Sequence, residues 1–163
     1  MRRLLIVWIV VSFFLPAIAS VDAMMGKIPF DQLVLGSDLI LLGRVESVQS
    51  YKREIESMPG QKREVENVIW SVAEVVADRI LKGGIGSRSI LIEFQGGSFE
   101  DSPNYKLDEE VIVFLQKIKG KDSYTTVGML QGKYIIREGI VAQEKVTVDE
   151  FIKRINIIFT RTR

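Results

Sequence analysis

The stretch Glu66–Gly83 restricts the possible folds of this chain more than any other part of the sequence. It is a long run rich in β-branched residues, and it stops at Lys82-Gly83-Gly84. Such residues favour an extended backbone, and glycines interrupt it. The run therefore predicts a strand of about 15 residues, much longer than the usual strand. A strand of that length bends across two sheet surfaces, with the small Ala73 and Ala77 at the inside of the bend, so we predict a strongly curved β-barrel.

Two further points concern the same stretch. A helix stays open as an alternative because four residues at helical spacing would share one face: Val72, Val75, Val76 and Arg79. Trp70 lies deep in the apolar run, and we interpret it as a core or barrel-corner residue rather than as a stacking platform for a ligand.

Met1–Ala23 has the pattern of a secretory signal peptide. Arg2 and Arg3 precede the apolar run Leu4–Leu15, and small residues spaced as at signal-peptidase sites follow it. An uncleaved membrane anchor is the alternative, but the run is short for a membrane span and is broken by Pro16. We therefore predict that the signal peptide is removed and that the protein is exported to the periplasm or the extracellular space.

The chain that remains, residues 24–163, has a balanced charge. The full sequence has 22 basic and 21 acidic residues, and loss of Arg2, Arg3 and Asp22 leaves 20 of each. A length of about 140 residues suits one domain with one core. Nucleic-acid-binding domains normally have a basic excess, so we expect no nucleic-acid partner, and contact with the membrane only through the leader before cleavage.

The chain contains no histidine and no cysteine. It therefore cannot form a Ser-His-Asp triad, a Cys-His dyad, a disulfide or a zinc site with these ligands. Carboxylate, lysine and tyrosine side chains remain for acid–base chemistry, but the calcium-loop and phosphate-loop patterns are missing. We therefore predict that the protein is not an enzyme and has no catalytic residue, no metal site and no cofactor.

The segments around the long strand predict a short helix, two strands and a loop. A proline near the start and a glycine at the end favour a helix over Ile28–Gly36. Alternating apolar residues predict strands over Asp38–Ser50 and Ser89–Gln95. Between the first of these and the long strand, Tyr51–Glu64 is charged, contains a Pro-Gly turn signal, and is predicted to be a loop.

The second half of the chain predicts further strands and a C-terminal helix. Val111–Leu115 is a continuous apolar run, which indicates a strand buried on both faces. Tyr124–Met129 and Lys133–Ile136 are predicted to pair with each other, and Ile140–Ala142 follows a second turn. Thr147 begins a capping-box pattern, which predicts an amphipathic helix that packs against the barrel.

Two segments resemble a known family. Ser37–Val45 (SDLILLGRV), followed by a variable loop and a strand ending at Ile80–Gly83 (ILKG), is similar to the N-terminal domain of tissue inhibitors of metalloproteinases (TIMP) and to netrin-type modules. The run Val111–Leu115 resembles that of exported, uncharacterised prokaryotic relatives of the same fold. The resemblance spans Phe30–Ala142 and implies an OB-fold, a five-stranded Greek-key barrel with helices added at its ends. The inhibitors chelate the protease zinc through an N-terminal cysteine, and this chain has none, so the resemblance implies the fold rather than the inhibitory activity.

The implied fold also suggests where a partner binds. In OB-folds the second and third strands and the loops beside them form the binding face. On this chain that surface would include Tyr51, Ile55, Met58, Glu93, Gln95 and Phe99. We therefore predict an exported, non-enzymatic binding module whose partner is a protein, or a polysaccharide or other extracellular polymer.

Two other functions stay open as alternatives. A carboxylate-dependent hydrolase would use two acidic residues from one polar segment: Asp101, Asp108, Glu109 or Glu110. A structural or assembly protein would instead pair an edge of its barrel with another chain.

Overall fold

The structure, a computed structural model, describes residues 26–56, 65–97 and 101–161, and these form a mainly β protein. The predicted signal peptide, residues 1–23, lies outside the described residues. In chain order the elements are α1 (Phe30–Gly36), β1 (Leu39–Glu56), β2 (Val65–Lys82), β3 (Ser89–Gln95), β4 (Glu110–Lys117), β5 (Ser123–Thr126), a 3-10 helix (Met129–Gly132), β6 (Lys133–Arg137), β7 (Ile140–Val141), β8 (Val146–Thr147) and α2 (Val148–Arg161). The predicted β class and both predicted helices are confirmed.

Five of the strands close into a ring. They follow the order β1, β2, β3, β5 and β4, and β4 pairs in turn with β1. The contact between β3 and β5 is parallel, and the other pairings in the ring are antiparallel. Strands β6, β7 and β8 continue the sheet from β4. The ring surrounds one part of the core and leaves the opposite surface of β1, β2 and β3 facing outward.

β1 and β2 are an antiparallel pair of strands with 18 residues each. β2 confirms the predicted long strand, so the helical alternative for these residues is wrong. The register between the two strands shifts at three places between Ile40 and Ser47, and such irregularities bend a strand. At Gly43 any Cβ would collide with the carbonyl oxygen of Val76. Glycine is therefore required at this close approach of the two backbones.

The prediction of a loop over Tyr51–Glu64 is wrong for its first part. Residues Tyr51–Glu56 continue β1 and pair with β2 along their whole length. Lys52 and Arg53 are exposed, because this end of the strand extends beyond the core into solvent. The polar residues Lys52 and Arg53, which indicated a loop, instead belong to a strand and have exposed side chains. Residues 57–64 lie outside the described part of the chain.

The predicted pairing of Tyr124–Met129 with Lys133–Ile136 is also wrong. β5 pairs with Leu115–Lys117 of β4, and β6 pairs with Val111–Val113 of the same strand. Because β1 occupies the other edge of β4, β5 and β6 lie end to end along one edge. The 3-10 helix between them carries the chain forward along β4 instead of reversing it.

β4 separates two hydrophobic clusters. Val111, Val113 and Leu115 belong to the cluster inside the ring, whereas Ile112 and Phe114 belong to the cluster under the helices. All five side chains are fully buried, which confirms the predicted burial on both faces. The ring cluster is completed by Leu39, Leu41, Val45, Ala73, Val75, Ala77, Ile90, Ile92, Phe94 and Tyr105.

Helix α2 begins as the capping pattern predicts. The amide of Glu150 donates a hydrogen bond to Thr147 Oγ1 at 3.2 Å, so Thr147 satisfies one of the free amides of the first turn. The Glu150 carboxylate accepts a hydrogen bond from Arg154 at 2.8 Å. Phe151 and Ile155 are buried in the cluster that they share with β4, and this packing holds α2 against the sheet.

Candidate functional site

The candidate site is the side of β1, β2 and β3 that points away from the ring cluster, here called the outer face. Side chains alternate between the two faces of a strand. In β2 the residues Ser71, Ala73, Val75 and Ala77 are buried, so the residues between them point outward. By this alternation and the strand register, the outer face carries Ser47, Gln49, Tyr51 and Arg53 from β1, Val68, Trp70, Val72 and Glu74 from β2, and Leu91, Glu93 and Gln95 from β3.

The strand register arranges these side chains in rows across the three strands. Trp70 lies opposite Tyr51 on one side and Gln95 on the other. In the next row Val72 lies between Gln49 and Glu93. Residues directly opposite each other in an antiparallel pair have their Cβ atoms about 5 Å apart, so each row forms a continuous strip of side chains.

The structure brings together three of the six predicted site residues. Tyr51 and Gln95 lie in one row, and Glu93 lies in the next. Ile55 is part of β1, but its side chain lies outside the described part of the structure. The other two predicted residues, Met58 and Phe99, also lie outside the described residues.

A shallow depression lies at the centre of the outer face. It has a volume of about 220 Å³ and is lined by Ser47, Gln49, Tyr51, Val72, Glu74 and Leu91. Tyr51 and Leu91 are 45% and 43% exposed. These two side chains give the depression apolar walls, while the amide and hydroxyl groups beside them can form hydrogen bonds with a ligand.

Trp70 is not a core residue, so the core assignment made from the sequence is wrong. Its side chain is half-buried on the outer face and belongs to neither hydrophobic cluster. The Arg53 guanidinium lies 5.5 Å from the centre of the indole ring, which is within the range of a cation–π contact. Within the described residues, the buried indole Nε1 has no hydrogen-bond partner, although such groups are usually paired.

Strand parity was the signal that could have identified this tryptophan. Ala73 and Ala77 were assigned to the inside of the bend, and both occupy odd positions of β2. Trp70 occupies an even position, so alternation alone places it on the opposite face. Arg53 was missed for another reason, because the predicted first strand ended at Ser50 and left Arg53 in the predicted loop.

Glu93 borders the outer face as a fixed negative charge. Its carboxylate accepts hydrogen bonds from Lys121 Nζ at 2.7 Å and from Ser123 Oγ at 2.6 Å. The bond from Lys121, followed by the bond from Ser123, lowers the pKa of Glu93. Glu93 therefore stays ionised at neutral pH and ties β3 to the start of β5.

The acidic residues of the hydrolase alternative are not part of the outer face. Asp101 and Asp108 are exposed, and Glu110 is half-buried at the start of β4. The Glu109 carboxylate forms an ion pair with Lys133 at 2.5 Å. No group of three acidic side chains that could hold a metal ion occurs in residues 26–56, 65–97 and 101–161.

A larger cavity, of about 440 Å³, lies between the segment that precedes α1 and the start of β6. Its glutamine side chains already bind the backbone. Gln131 Oε1 accepts a hydrogen bond from the Ile28 amide at 2.7 Å. Gln143 accepts one from the Ile135 amide at 3.0 Å and donates one to the Lys133 carbonyl at 3.1 Å. These groups hold neighbouring segments together, so we place the candidate binding site on the outer face instead.

Neither a protein-family model nor a curated protein sequence matches the chain. Of the helices that the structure describes, none has the length and apolar character needed to cross a membrane.

Proposed function

We propose that this protein is an exported, non-enzymatic binding module of the OB-fold type, and that it holds a protein partner or an extracellular polymer on its outer face. The proposal joins the signal-peptide pattern, the missing histidine and cysteine, and the surface formed by β1, β2 and β3. The partner binds by surface complementarity and undergoes no chemical change.

Strand connectivity supports the OB-fold and the resemblance to the tissue inhibitors of metalloproteinases. Five strands close into a ring, and their order in space differs from their order in sequence, as a Greek-key arrangement requires. The small ring core and the added helices α1 and α2 agree with the same proposal. OB-folds bind ligands mainly on the second and third strands and the adjacent loops, and the outer face includes both of these strands.

The row formed by Tyr51, Trp70 and Gln95 is the observation that carries the proposal. It combines an exposed phenol, a half-buried indole and an amide across three paired strands. Aromatic rings bury a large apolar area while their polar ends still form hydrogen bonds. Because the backbone of three strands supports it, this row is more rigid than the same residues would be on a loop, and less entropy is lost on binding.

The depression beside this row explains how an elongated partner would lie. A segment of a partner that enters it contacts Tyr51 and Leu91 on its walls and meets the amide of Gln49. Glu93 and Arg53 place charges of opposite sign at the border. Rim charges of this kind contribute to specificity and to the rate of association more than to affinity.

Tryptophan fluorescence provides a direct test. The chain has two tryptophans, Trp8 in the predicted leader and Trp70 on the outer face, so Trp8→Phe makes Trp70 the only tryptophan, and its emission is excited selectively over that of the tyrosines. This variant is titrated with fractionated envelope extract and with a panel of extracellular polysaccharides. We expect at least one fraction to change the emission of Trp70, because a bound partner alters the surroundings of the indole ring.

Substitution of Tyr51 then identifies the surface that binds. Tyr51→Ala removes an exposed aromatic side chain from the wall of the depression, and we expect about 30-fold weaker capture, the effect of losing about 2 kcal/mol at an interface hot spot. Ile157→Ala is the matched control, because Ile157 is a 50% exposed apolar residue on α2. Equal capture by both variants would remove the outer face from the proposal.

A further inference from the structure

One edge of β1 has no partner strand over the length that borders the outer face. β4 pairs with β1 only as far as Arg44, and Val45 makes the last backbone contacts on that side, with Asp108 and Glu109. Glu46 lies at a register shift, and from Ser47 to Arg53 β1 pairs with β2 on its other side. Within the described residues, no strand or loop forms backbone hydrogen bonds with this edge, here called the free edge.

An unpaired edge presents a row of backbone donors and acceptors that can add a further strand. Proteins commonly protect such edges with charged side chains, above all lysine, and with bulges. The free edge has a register shift next to Glu46 and carries Lys52 and Arg53 at its other end. The free edge therefore has an acidic end and a basic end, whereas an edge that is protected by lysines carries charge of only one sign.

We propose that a second copy of this chain pairs with the free edge in antiparallel orientation and forms a symmetric dimer. Antiparallel pairing about a twofold axis near Gln49 places the acidic end of each edge opposite the basic end of the other. Glu46 of each copy then faces Lys52 or Arg53 of its partner, which gives two opposite-charge contacts. Opposite charges across an antiparallel pair stabilise it.

The exposure of the charged residues and their lack of ion pairs with other described residues support a second copy of the chain as the partner of the free edge. Glu46 and Lys52 are exposed, and neither forms an ion pair with another described residue. Between them, the edge is uncharged from Ser47 to Tyr51. A segment with an acidic and a basic end separated by neutral residues is complementary to itself when it is reversed, as a twofold interface requires.

The dimer would also extend the proposed binding surface. A twofold axis perpendicular to the sheet keeps the same face of both copies on the same side. The two outer faces would therefore lie next to each other across the paired edges, and Tyr51 of each copy would lie near the axis. This consequence rests on the proposed function, because two adjacent sites bind a repeating polymer more tightly than one site.

Charge reversal on the full chain tests the proposal. Sedimentation equilibrium over a concentration series measures the dimer dissociation constant of the wild-type protein, Glu46→Lys, Lys52→Glu and the double variant. Each single reversal replaces two attractive contacts with two repulsive ones, and we expect dissociation constants raised by about tenfold or more. The double variant restores the opposite charges with exchanged positions, so we expect a value within about threefold of wild type.

Glu138→Lys is the control, because Glu138 is an exposed acidic residue in the turn between β6 and β7, and we expect it to leave dimerisation unchanged. A wild-type protein that stays monomeric, single reversals without effect, or a double variant as weak as the single ones would overturn the proposal. Trp70→Phe alters the outer face and leaves the free edge intact, so we expect it to weaken capture of a partner while the dimer persists. Loss of the dimer and loss of capture are thus measured on separate variants.

Discussion

The ion pair between Lys133 and Glu109 predicts different losses of stability when either partner is removed. Lys133 Nζ lies 2.5 Å from the Glu109 carboxylate, and the two side chains are 2% and 12% exposed. The ammonium group also donates a hydrogen bond to the Asn104 carbonyl at 2.9 Å and lies 4.7 Å from the ring centre of Tyr105. Lys133 is thus the more deeply buried charge, and Glu109 retains some contact with water.

Glu109→Gln should be the more damaging change. It leaves a buried ammonium group without its counter-charge, and removal of one partner from a buried pair costs about 3–5 kcal/mol. The Asn104 carbonyl and the Tyr105 ring still stabilise the cation, so we expect a loss near the lower end, about 3 kcal/mol. Lys133→Met removes the buried charge itself and leaves a carboxylate that water can reach, so we expect a loss of about 1 kcal/mol.

The double variant separates the pair interaction from the cost of the buried charge. With both charges removed no unpaired ion remains, so we expect Glu109→Gln/Lys133→Met to be about 2 kcal/mol more stable than Glu109→Gln alone. Urea unfolding measures each difference, with the slope of the transition as a check that the unfolded state is unchanged. Lys117→Met is the control, because its ion pair with Asp122 is exposed and such pairs contribute little. Equal losses in the two single variants, or a double variant with the sum of both losses, would refute the reasoning.

The pH dependence of stability gives a second measurement on the same pair. Burial lowers the pKa of Lys133 below its ordinary value of 10.5, and the hydrogen bond that its ammonium group donates to Glu109 partly opposes this. Between the lowered pKa and 10.5 the unfolded chain binds more protons than the folded protein, so the contribution of this group to stability increases with pH. We expect this increase to be absent in Lys133→Met and to begin at lower pH in Glu109→Gln, where the opposing effect of the carboxylate is lost.

The other predictions test the remaining contacts, each by the unfolding free energy. Burial raises the pKa of Tyr134 to about 12. Between pH of about 10 and 12 the folded protein therefore keeps a proton on this phenol that the unfolded chain releases. We expect the wild-type protein to lose stability over this pH range through Tyr134, and Tyr134→Phe to lack this loss. Thr147→Ala removes the hydrogen bond to the Glu150 amide, and we expect a loss of about 1 kcal/mol. Gly43→Ala forces a Cβ against the carbonyl of Val76, so we expect a loss above about 2 kcal/mol, and a loss below that of Thr147→Ala would contradict the close approach.

The elements that were predicted best from the sequence are those in which the positions of apolar residues match the buried positions. β3 was predicted with its observed bounds because every second residue, Ile90, Ile92 and Phe94, is apolar and lies on one face. β4 was recognised because an apolar run of strand length has to be buried on both faces. In these two strands the buried positions are occupied mainly by apolar residues, so the sequence itself indicates which side chains are buried.

Pairing between strands was harder to predict. The pairing of β5 and β6 depends on β4, which offers both of them one continuous edge, and nothing within residues 123–137 indicates this. β1 was predicted to end at Ser50 because Lys52 and Arg53 are polar, yet they remain in a strand because β2 continues beside them. In both cases the structure of the segment is determined by the neighbouring strand and not by the local amino-acid composition.

The part of β1 that was not predicted from the sequence belongs to the surface that we propose to be functional. Among the described side chains of β1, Val48 is the last that packs against the ring cluster. Residues 49–53 are exposed, yet they remain paired with β2 and include Tyr51, Arg53 and most of the free edge. In the function that we propose, this extension of the strand contacts a partner outside the molecule. The same property explains why hydrophobic patterning failed to predict it, because partner-binding residues are not sorted by burial in the free chain.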